Sequence, residues 1–374
     1  MKRHIDYYFL ALVFFLTIFG LLFLSTLSAI ASLQNFGNTN YYLFHQLISM
    51  AIGLVLAIIM FKIPLAFLKK LAPLFFLVNA VALIMVFLPV FGTKLGGASR
   101  WISIGNNTIQ PSEFFKISAI LYASAWISNR YSQNPKKTWQ EGVKKGYDSI
   151  IKIFLPFIVL LAIIWVLLYF QRDISTLGII TVSLLGIYFT AKTPLWHTAL
   201  LLVTGAVTAL GLIIKEPYRF NRLLIFLNPE FDPLGKGRQL KQSIIALGSG
   251  GLFGKGLGMS VQKFGFLPEA MSDSIFAIVG EEIGIVGSVI LIGLFLLFLY
   301  LGFKISSRAT DSFAKLTAVG IIIWITFQAG INIASACGLF PLSGIPLPFF
   351  SYGGSHLIAE LMAMGLLLNI SKNG

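Results

Sequence analysis

The sequence predicts an all-α polytopic membrane protein, a single integral membrane domain over residues 1–374 with about ten transmembrane helices. Hydrophobic residues make up 57% of the chain and charged residues 11%, whereas a soluble domain carries about 25% charged residues. The apolar runs are continuous and reach the ~20 residues that cross the ~30 Å hydrocarbon core. A β-barrel would show short strands of alternating polarity, whereas helices satisfy their own backbone polar groups in lipid.

The apolar runs follow one another along the whole chain, separated by polar segments. The first run is too long for a cleavable signal and lacks an Ala-x-Ala-like site, so we interpret it as a transmembrane helix. Cys337 is the sole cysteine, which excludes an intrachain disulfide. The ten predicted helices span about residues 7–30, 42–62, 71–91, 110–127, 150–169, 174–191, 197–215, 272–303, 315–338 and 352–370.

The distribution of lysine and arginine predicts the orientation, because these residues concentrate on the cytoplasmic side of membrane proteins. It favours cytoplasmic N- and C-termini, a basic cytoplasmic loop at about 128–149, and a large extracytoplasmic loop at about 216–271, between predicted helices 7 and 8. The large loop is rich in cations although it faces outward. It is either a solvated surface loop or a basic basin for a negatively charged ligand.

The net charge of +14 also indicates the class of partner. In a membrane protein this charge favours contacts with anionic membrane lipids or an anionic substrate. No basic run is interleaved with a nucleic-acid-binding motif, so we expect no nucleic acid partner.

Asp273 is the candidate catalytic residue, because it lies where the large polar loop meets predicted helix 8. A carboxylate shielded from water has a raised pKa, and nearby lysines and arginines lower it. Such a group acts as a general base when it is held against a hydroxyl. The competing interpretation is that Ser272 or Asp273 simply caps the following helix.

A glycine-rich stretch in the large loop allows positive φ and close approach of the backbone to a ligand. Backbone amides in such loops can bind phosphate, but the stretch lacks the Gly-Lys-Ser/Thr ending of a nucleotide P-loop. The alternative is a tightly turned loop that packs on helices. The glycines are Gly248, Gly250, Gly251, Gly254, Gly256 and Gly258.

Two further polar clusters are expected on the same outer side. Arg100 supplies a guanidinium fork suited to phosphate, and Trp101 offers an aromatic surface for sugar or lipid, or serves as an interfacial belt residue. The prolines and glycines of residues 346–355 predict an irregular segment that packs near the other outer loops.

Ionisable residues within membrane segments are costly and by default are functional candidates. Glu113 and Lys116 lie at i, i+3 and should pair, in either a structural or a mechanistic role. At least one of Glu281 and Glu282 should face the bundle interior or a cavity, and both are expected to bridge helices, as is Glu360. Asp173 begins predicted helix 6 and is expected to cap it. His45 and His356 are expected to make satisfied polar contacts.

Several of these motifs occur together in an order that resembles the SEDS family of FtsW, RodA and SpoVE. The resemblance covers nearly the whole chain. Residues 280–282 (GEE) and 260–263 (SVQK) favour the FtsW-like branch. The other matching motifs are residues 97–102 (GASRWI), 110–113 (QPSE) with Lys116, 171–173 (QRD), 242–251, 267–269 (LPE) with Asp273, and 346–355.

Three motifs depart from the family pattern. The family has His-Thr-Asp-Phe-Ile-Phe where this chain has residues 271–276 (MSDSIF), proline where it has Arg172, and serine where it has His356. The aspartate is retained at Asp273. The departures bear on substrate geometry more than on the family resemblance.

The resemblance implies a glycosyltransferase that polymerises lipid II into peptidoglycan strands, for cell division or cell shape. It would act at the outer face of the bacterial cytoplasmic (inner) membrane, by an inverting displacement with undecaprenyl pyrophosphate as leaving group and Asp273 as the essential acid. Implied partners are a class B penicillin-binding protein transpeptidase and divisome or elongasome proteins. A divalent cation, Mg²⁺ or Mn²⁺, is a further expectation, although no metal-ligand cluster is visible. The expected substrate-binding residues are Arg100, Trp101, Lys255, Lys263, Glu269 and Ser351.

Two other functions are compatible with a polytopic chain. A lipid II flippase would depend on charged residues along a path more than on one aspartate at the rim, and transporters often show inverted repeats, which we do not find here. A non-catalytic scaffold that recruits a transpeptidase would tolerate replacement of Asp273.

Overall fold

The computed structural model describes residues 4–89, 91–95, 98–105, 107–131, 153–191, 193, 196–197, 199–205, 211 and 217–374. Eleven α-helices are bounded within these residues, with two short 3-10 turns at Pro229–Phe231 and Gln262–Phe264. The helices are α1 (Tyr7–Phe36), α2 (Tyr41–Lys62), α3 (Leu65–Met85), α4 (Pro111–Tyr131), α5 (Leu155–Phe170), α6 (Ile174–Thr190), α7 (Pro217–Leu227), α8 (Lys236–Ser249), α9 (Ile275–Arg308), α10 (Ser312–Ala336) and α11 (Gly354–Asn373).

Six of the described helices are long and apolar enough to cross a membrane, namely α1, α2, α3, α9, α10 and α11. Two shorter apolar helices, α5 and α6, coincide with predicted helices 5 and 6. The helical fold is therefore confirmed, while the count of ten spans stays a prediction. Predicted helix 7 (197–215) and the cytoplasmic loop (128–149) lie largely outside the described residues.

Aspartates fix the starts of three helices. Asp6, Asp173 and Asp311 each accept a hydrogen bond from a backbone amide in the first turn of α1, α6 and α10, at 3.1, 3.4 and 3.1 Å. Each satisfies an N–H that has no partner within the helix, and the negative charge suits the positive end of the helix dipole. The capping role predicted for Asp173 is confirmed.

The expectation of a purely α-helical chain was incomplete, because a small antiparallel sheet precedes α4. Its strands are β1 (Gly92–Leu95), β2 (Ala98–Ile104) and β3 (Asn107–Ile109), in the order β1-β2-β3. Thr93 pairs with Trp101, and Ile102 pairs with Ile109. This stretch is too polar to continue a spanning helix, and a hairpin satisfies its backbone hydrogen bonds locally.

The region predicted as one large loop is also more ordered than expected. It contains α7 and α8 and then a series of turns that lead into α9. Helix α8 has one buried face, since Leu240 and Ala246 are buried while Ile244 and Ile245 are exposed. Its buried face packs this region onto the bundle, so that cations far apart in the sequence take fixed positions.

Candidate active site

Asp273 occupies a tight turn immediately before α9. The backbone amides of Ser272 and Ser274 both donate to the carbonyl oxygen of Glu269, at 3.1 and 3.0 Å. Ser274 is the residue that precedes the first turn of α9, and no side chain accepts a hydrogen bond at this helix start. The interpretation of Asp273 as a helix cap was therefore wrong, since its carboxylate does not cap α9.

The environment of Asp273 raises the pKa of its carboxyl group from 3.8 to about 6. Burial is the largest cause, and the nearby carboxylate of Glu269 adds to it. Lys236, Arg222 and Arg100 act in the opposite direction, so three cations lie near the carboxylate. A carboxylate with this pKa is ionised at neutral pH and is basic enough to take a proton from a hydroxyl.

Arg100 reaches the site from strand β2. Its Nε donates to the carbonyl oxygen of Gln171 at 3.2 Å, and its Nη2 donates to the carbonyl oxygen of Arg172. The backbone of Arg172 has a positive φ of 58°. The turn between α5 and α6 therefore orients the guanidinium that was predicted as a phosphate ligand.

Trp101 is half-buried on the same strand. The pairing of β1 with β2 shifts register beside it, because Thr93 pairs with Trp101 while Lys94 pairs with Ser99. Arg100 is therefore the extra residue of a bulge, where the alternation of side chains between the two faces of a sheet is interrupted. The predicted substrate contact of Trp101 and its alternative role as a belt residue both stay predictions.

Arg222, from helix α7, approaches the carboxylate beside Gly344. Its Nη1 donates to the carbonyl oxygens of Leu342 and Ser343, at 3.0 and 3.3 Å. A methyl group built on Gly344 would lie 3.5 Å from Oδ2 of Asp273 and 4.0 Å from Nη2 of Arg222. Gly344 thus leaves a small open space between the acid and the cation.

A cleft of about 330 Å³ lies between α7 and α8. Arg222 and Lys236, two of the cations that face Asp273, contribute to its wall. Asp232 organises that wall, because its carboxylate accepts from the backbone amides of Gly235 and Lys236 at 3.0 and 2.7 Å. The lining residues are Asn221, Arg222, Leu224, Ile225, Phe231, Asp232 and Lys236.

The other side of the Asp273 turn is held by the segment before α11. Asn332 Nδ2 donates to the carbonyl oxygens of Asp273 and Ile345, at 2.9 and 2.7 Å. Ser351 is buried, and its hydroxyl donates to the carbonyl oxygen of Ser272 at 2.6 Å and accepts from the amide of Leu347 at 2.8 Å. The predicted substrate-binding role of Ser351 is therefore corrected to a positioning role, because both sides of its hydroxyl are occupied.

The structure separates Lys255 and Lys263 from the cations around Asp273. Lys255 Nζ forms an ion pair with Glu281 at 2.7 Å, and Lys263 Nζ donates to the carbonyl oxygen of Gly258. The prediction that these lysines join Arg100 as substrate ligands is not supported by this geometry. Glu281 bridges α9 to the preceding loop, as the sequence predicted for it.

Glu113 and Lys116 form the predicted ion pair, with 2.8 Å between carboxylate and ammonium, and both are buried. Lys116 also donates to Oε1 of Gln328 at 3.0 Å and stacks over the ring of Trp324 at 4.7 Å. Gln328 in turn donates to the carbonyl oxygen of Pro346 at 3.1 Å. The pair is therefore built into the interior beneath the segment that supports Asp273.

His356 extends this network on α11. Its Nδ1 and Nε2 lie 3.5 Å from Glu113 and 3.3 Å from Glu360. Glu360 accepts a hydrogen bond from the amide of Phe349 at 2.9 Å. Both ring nitrogens of His356 are buried and neither makes a hydrogen bond, so the satisfied polar contact expected for this histidine is replaced by proximity to two carboxylates.

Sequence reasoning missed Lys236 and Asn332 and did not connect Arg222 with Asp273. Asn332 carried a usable signal, since a polar side chain within a spanning helix is costly and usually has a partner. Lys236 carried no such signal in the sequence, because its position near Asp273 depends on how α8 packs. Glu269 is exposed beside Asp273 and acts on it through charge.

The donor set around Asp273 does not make a metal site. Among the residues that the structure describes, no group of three or more His, Cys, Asp and Glu side chains is close enough to hold a metal ion. Two carboxylates, Asp273 and Glu269, are set among three cations. Among the described residues these two carboxylates do not form a ligand set for Mg²⁺ or Mn²⁺, and the expected cation stays a prediction.

The depth of the site in the membrane follows from the positions of the charged residues along α9. No charged residue lies between Ile283 and Phe303, whereas Lys304 and Arg308 follow at the end of the helix. A hydrocarbon core takes ~20 residues, so its opposite boundary falls near Glu282. The helix from Ile275 to Glu281 rises a further ~9 Å, which places Asp273 at the level of lipid headgroups and their phosphates.

Comparison with known proteins agrees with this architecture. The sequence profile of the cell cycle protein family that covers FtsW, RodA and SpoVE matches residues 6–374. A Coxiella burnetii protein named "Probable peptidoglycan glycosyltransferase FtsW" is 38% identical over 355 residues, covering 94% of this chain and 92% of that protein. Stage V sporulation protein E of Bacillus subtilis is 34% identical over 353 residues, covering 94% of this chain and 93% of that protein.

Two solved structures share the fold. A chain of a peptidoglycan synthase complex that coordinates polymerization and crosslinking has a TM-score of 0.76 at 24% identity, covering 99% of this chain and 98% of that chain. The rod shape determining protein RodA of Thermus thermophilus has a TM-score of 0.70 at 23% identity, again covering 99% and 98%. With its apolar spanning helices and a profile match over nearly its whole length, this chain is a multi-pass membrane protein of the FtsW/RodA/SpoVE family.

Proposed function

We propose that this protein is a peptidoglycan glycosyltransferase that polymerises lipid II, with Asp273 as the general base. The observation that carries the proposal is the carboxylate itself: its pKa is raised to about 6, it is spared from helix capping, and three cations lie near it. The FtsW relatives, named as glycosyltransferases of peptidoglycan, support the same substrate class.

In the proposed reaction, the Asp273 carboxylate takes the proton of the 4-hydroxyl of the acceptor sugar. The hydroxyl oxygen attacks the anomeric carbon of the donor, and the bond from that carbon to the pyrophosphate oxygen breaks. The bonding electron pair leaves with undecaprenyl pyrophosphate, so the anomeric centre is inverted. Because one displacement needs an activated hydroxyl and no covalent enzyme intermediate, a single base is sufficient.

Arg100, Arg222 and Lys236 are the proposed pyrophosphate ligands, in place of the earlier set that included Lys255 and Lys263. Negative charge on the leaving group grows as the bond breaks, and cations already held in position stabilise it without reorganisation. The depth of Asp273 supports this role, because a pyrophosphate on a polyprenyl chain lies at the headgroup level while the chain stays in hydrocarbon.

We further propose that the site faces outward and that a class B penicillin-binding protein works beside it. The excess of lysine and arginine on the other side of the membrane supports the orientation. The fold shared with a chain from a peptidoglycan synthase complex supports a transpeptidase partner.

The test is lipid II polymerisation by the purified protein with its transpeptidase, comparing the wild type with Asp273→Asn. Glu230→Gln is the matched control, since Glu230 is an exposed carboxylate of the same region and pairs with Lys241. Glycan chains from the wild type and from Glu230→Gln, but not from Asp273→Asn, are the expected result.

Equal chain synthesis by Asp273→Asn would remove Asp273 as the base. If neither protein makes glycan, a lipid II translocation assay in proteoliposomes separates the remaining candidates: transport by the wild type would identify a flippase. Partner binding without synthesis or transport would identify a scaffold.

A further inference from the structure

Helix α9 is broken inside its apolar stretch, at Gly284, which has φ 68° and ψ −170°. The break frees backbone groups that a continuous helix would pair internally. Residues 251–259, which we name the glycine wedge, dock against these groups. An added Cβ at Gly284 would lie 2.4 Å from the amide nitrogen of Gly254. The glycines therefore allow the wedge to approach a helix closely. This agrees with the second interpretation of the glycine-rich stretch, a tightly turned loop that packs on helices.

Backbone hydrogen bonds are donated in both directions between the glycine wedge and α9. The amides of Lys255 and Gly256 donate to the carbonyl oxygens of Glu281 and Glu282, each at 3.0 Å. In the other direction, the carbonyl oxygens of the wedge accept from α9, with Ile285 N to Gly251 O at 2.9 Å and Val286 N to Leu252 O at 3.1 Å. The wedge is thus fixed at the depth of residues 281–286.

Two carboxylates complete the hydrogen bonding. Glu282 accepts from the backbone amides of Gly258 and Ser260, at 2.9 and 3.3 Å. Glu281 accepts from the Ser260 hydroxyl at 2.5 Å and from Lys255 Nζ at 2.7 Å. Irregular backbone is tolerated near hydrocarbon only when its polar groups are satisfied by protein. This explains why two acids lie buried at this level of α9.

The side chains of the wedge show the opposite character, because its large apolar groups point outward. Leu252, Phe253, Leu257 and Met259 are 63%, 79%, 63% and 67% exposed. The apolar surface continues onto α9, where Ile285, Val286, Val289 and Ile290 are also exposed.

We infer that the glycine wedge inserts its apolar side chains into the edge of the lipid bilayer, on the same side as Asp273. The hydrocarbon boundary falls near Glu282, and Leu252 is hydrogen-bonded to Val286, four residues further along α9 toward the core. The wedge would anchor the segment that joins α8 to the Asp273 turn at a fixed height above the membrane.

A lipid surface suits the wedge better than a protein partner, because the apolar side chains are continuous with a spanning helix and reach below the boundary. The inference goes beyond the proposed glycosyl transfer and does not depend on it. It would hold for a flippase or a scaffold with the same fold.

The test is the accessibility of nitroxide spin labels in the full-length protein, reconstituted in vesicles of phosphatidylethanolamine and phosphatidylglycerol. Cys337→Ser provides the cysteine-free background. Phe253→Cys and Leu257→Cys carry the label in the wedge. Leu234→Cys is the control, since Leu234 is 86% exposed in the turn before α8.

Oxygen concentrates in lipid, whereas a nickel chelate stays in water. We expect the ratio of oxygen to nickel accessibility to be several-fold higher at both wedge positions than at Leu234. Nickel accessibility equal to that at Leu234 would overturn the inference in favour of a solvated loop. Shielding of the wedge labels from both reagents would overturn it in favour of a covering protein, including a second copy of this chain. Having two wedge positions guards against the failure of one variant to fold.

Discussion

The side-chain amide of Asn332 donates a hydrogen bond to the backbone carbonyl oxygen of Asp273, at 2.9 Å. The same amide donates to the carbonyl oxygen of Ile345 at 2.7 Å. One buried side chain on α10 therefore joins the turn that carries the carboxylate to the segment next to Gly344. Its role is to position Asp273, since it contacts the backbone and not the reacting group.

Asn332→Ala should lower the turnover number ~10- to 100-fold with little change in KM, because small misplacement of a base has effects of this size. Asn369→Ala is the matched control. Asn369 is equally buried and donates to the carbonyl oxygens of Met60 and Ile63 at 2.8 and 2.7 Å.

Both alanine variants should lose about 1–3 kcal/mol of unfolding free energy, because each leaves buried carbonyls unpaired. The measurements are steady-state kinetics and thermal unfolding of the purified proteins. Equal loss of turnover in both variants would mean that Asn332 acts only through stability.

The pH dependence of glycan synthesis should report Asp273. Its pKa is raised to about 6 by burial and by Glu269, and a general base works only when ionised. Activity should therefore fall as the pH drops through about 6. Glu269→Gln removes a like charge and should move this limb to lower pH. If the acidic limb of the pH–activity profile, measured with saturating substrate, is unchanged in Glu269→Gln, a group other than Asp273 titrates there.

Lys236→Gln should raise KM for lipid II ~10-fold at pH 8, which corresponds to the ~1.4 kcal/mol of one charge-assisted contact. At that pH Asp273 is ionised in both proteins, so a change in its pKa does not contribute. Lys241→Gln removes the same charge from the same helix, but Lys241 pairs with the exposed Glu230. A similar rise in KM for both variants would indicate a general effect of net charge and not a pyrophosphate contact.

Gly284→Ala should destabilise the protein by more than about 3 kcal/mol, since it combines a positive φ with a backbone clash. Gly293→Ala on the same helix meets no atom within 4 Å and should be neutral or slightly stabilising. Thermal unfolding in one detergent compares the two. Similar melting temperatures would argue against the break in α9.

Lys116→Met should cost about 3–5 kcal/mol, because it leaves the buried carboxylate of Glu113 without its ammonium partner. Adding Glu113→Gln should recover much of that loss by removing the charge. The measurement is a double-mutant cycle of unfolding free energies. Additive losses would show that the two residues are not coupled.

The sequence alone predicted those features that depend on residues close to one another along the chain. The length and polarity of the apolar runs predicted the spanning helices, and the i, i+3 spacing of Glu113 and Lys116 predicted their ion pair. Asp173 was predicted as a cap because an acid near a helix N-terminus is favourable. These effects act within one or two turns, so they are visible without a fold.

The candidate site was only partly predictable, because its members come from distant segments. Asp273 stood out as an acid at the end of a polar stretch, and Arg100 was chosen for its guanidinium. Lys255 and Lys263 were assigned to the substrate because they are cationic and close in sequence. The structure gives Lys255 a carboxylate partner on the broken helix instead.

By itself, the sequence determined that the chain crosses a membrane, resembles one family and carries one aspartate where a polar region meets a spanning helix. Only the tertiary structure decided which cations face that aspartate. Arg222 and Lys236 reach it from α7 and α8, whose orientation is set by which faces are buried against the bundle. The physical reason is that charge acts through distance in space, and that distance depends on long-range packing and not on spacing along the chain.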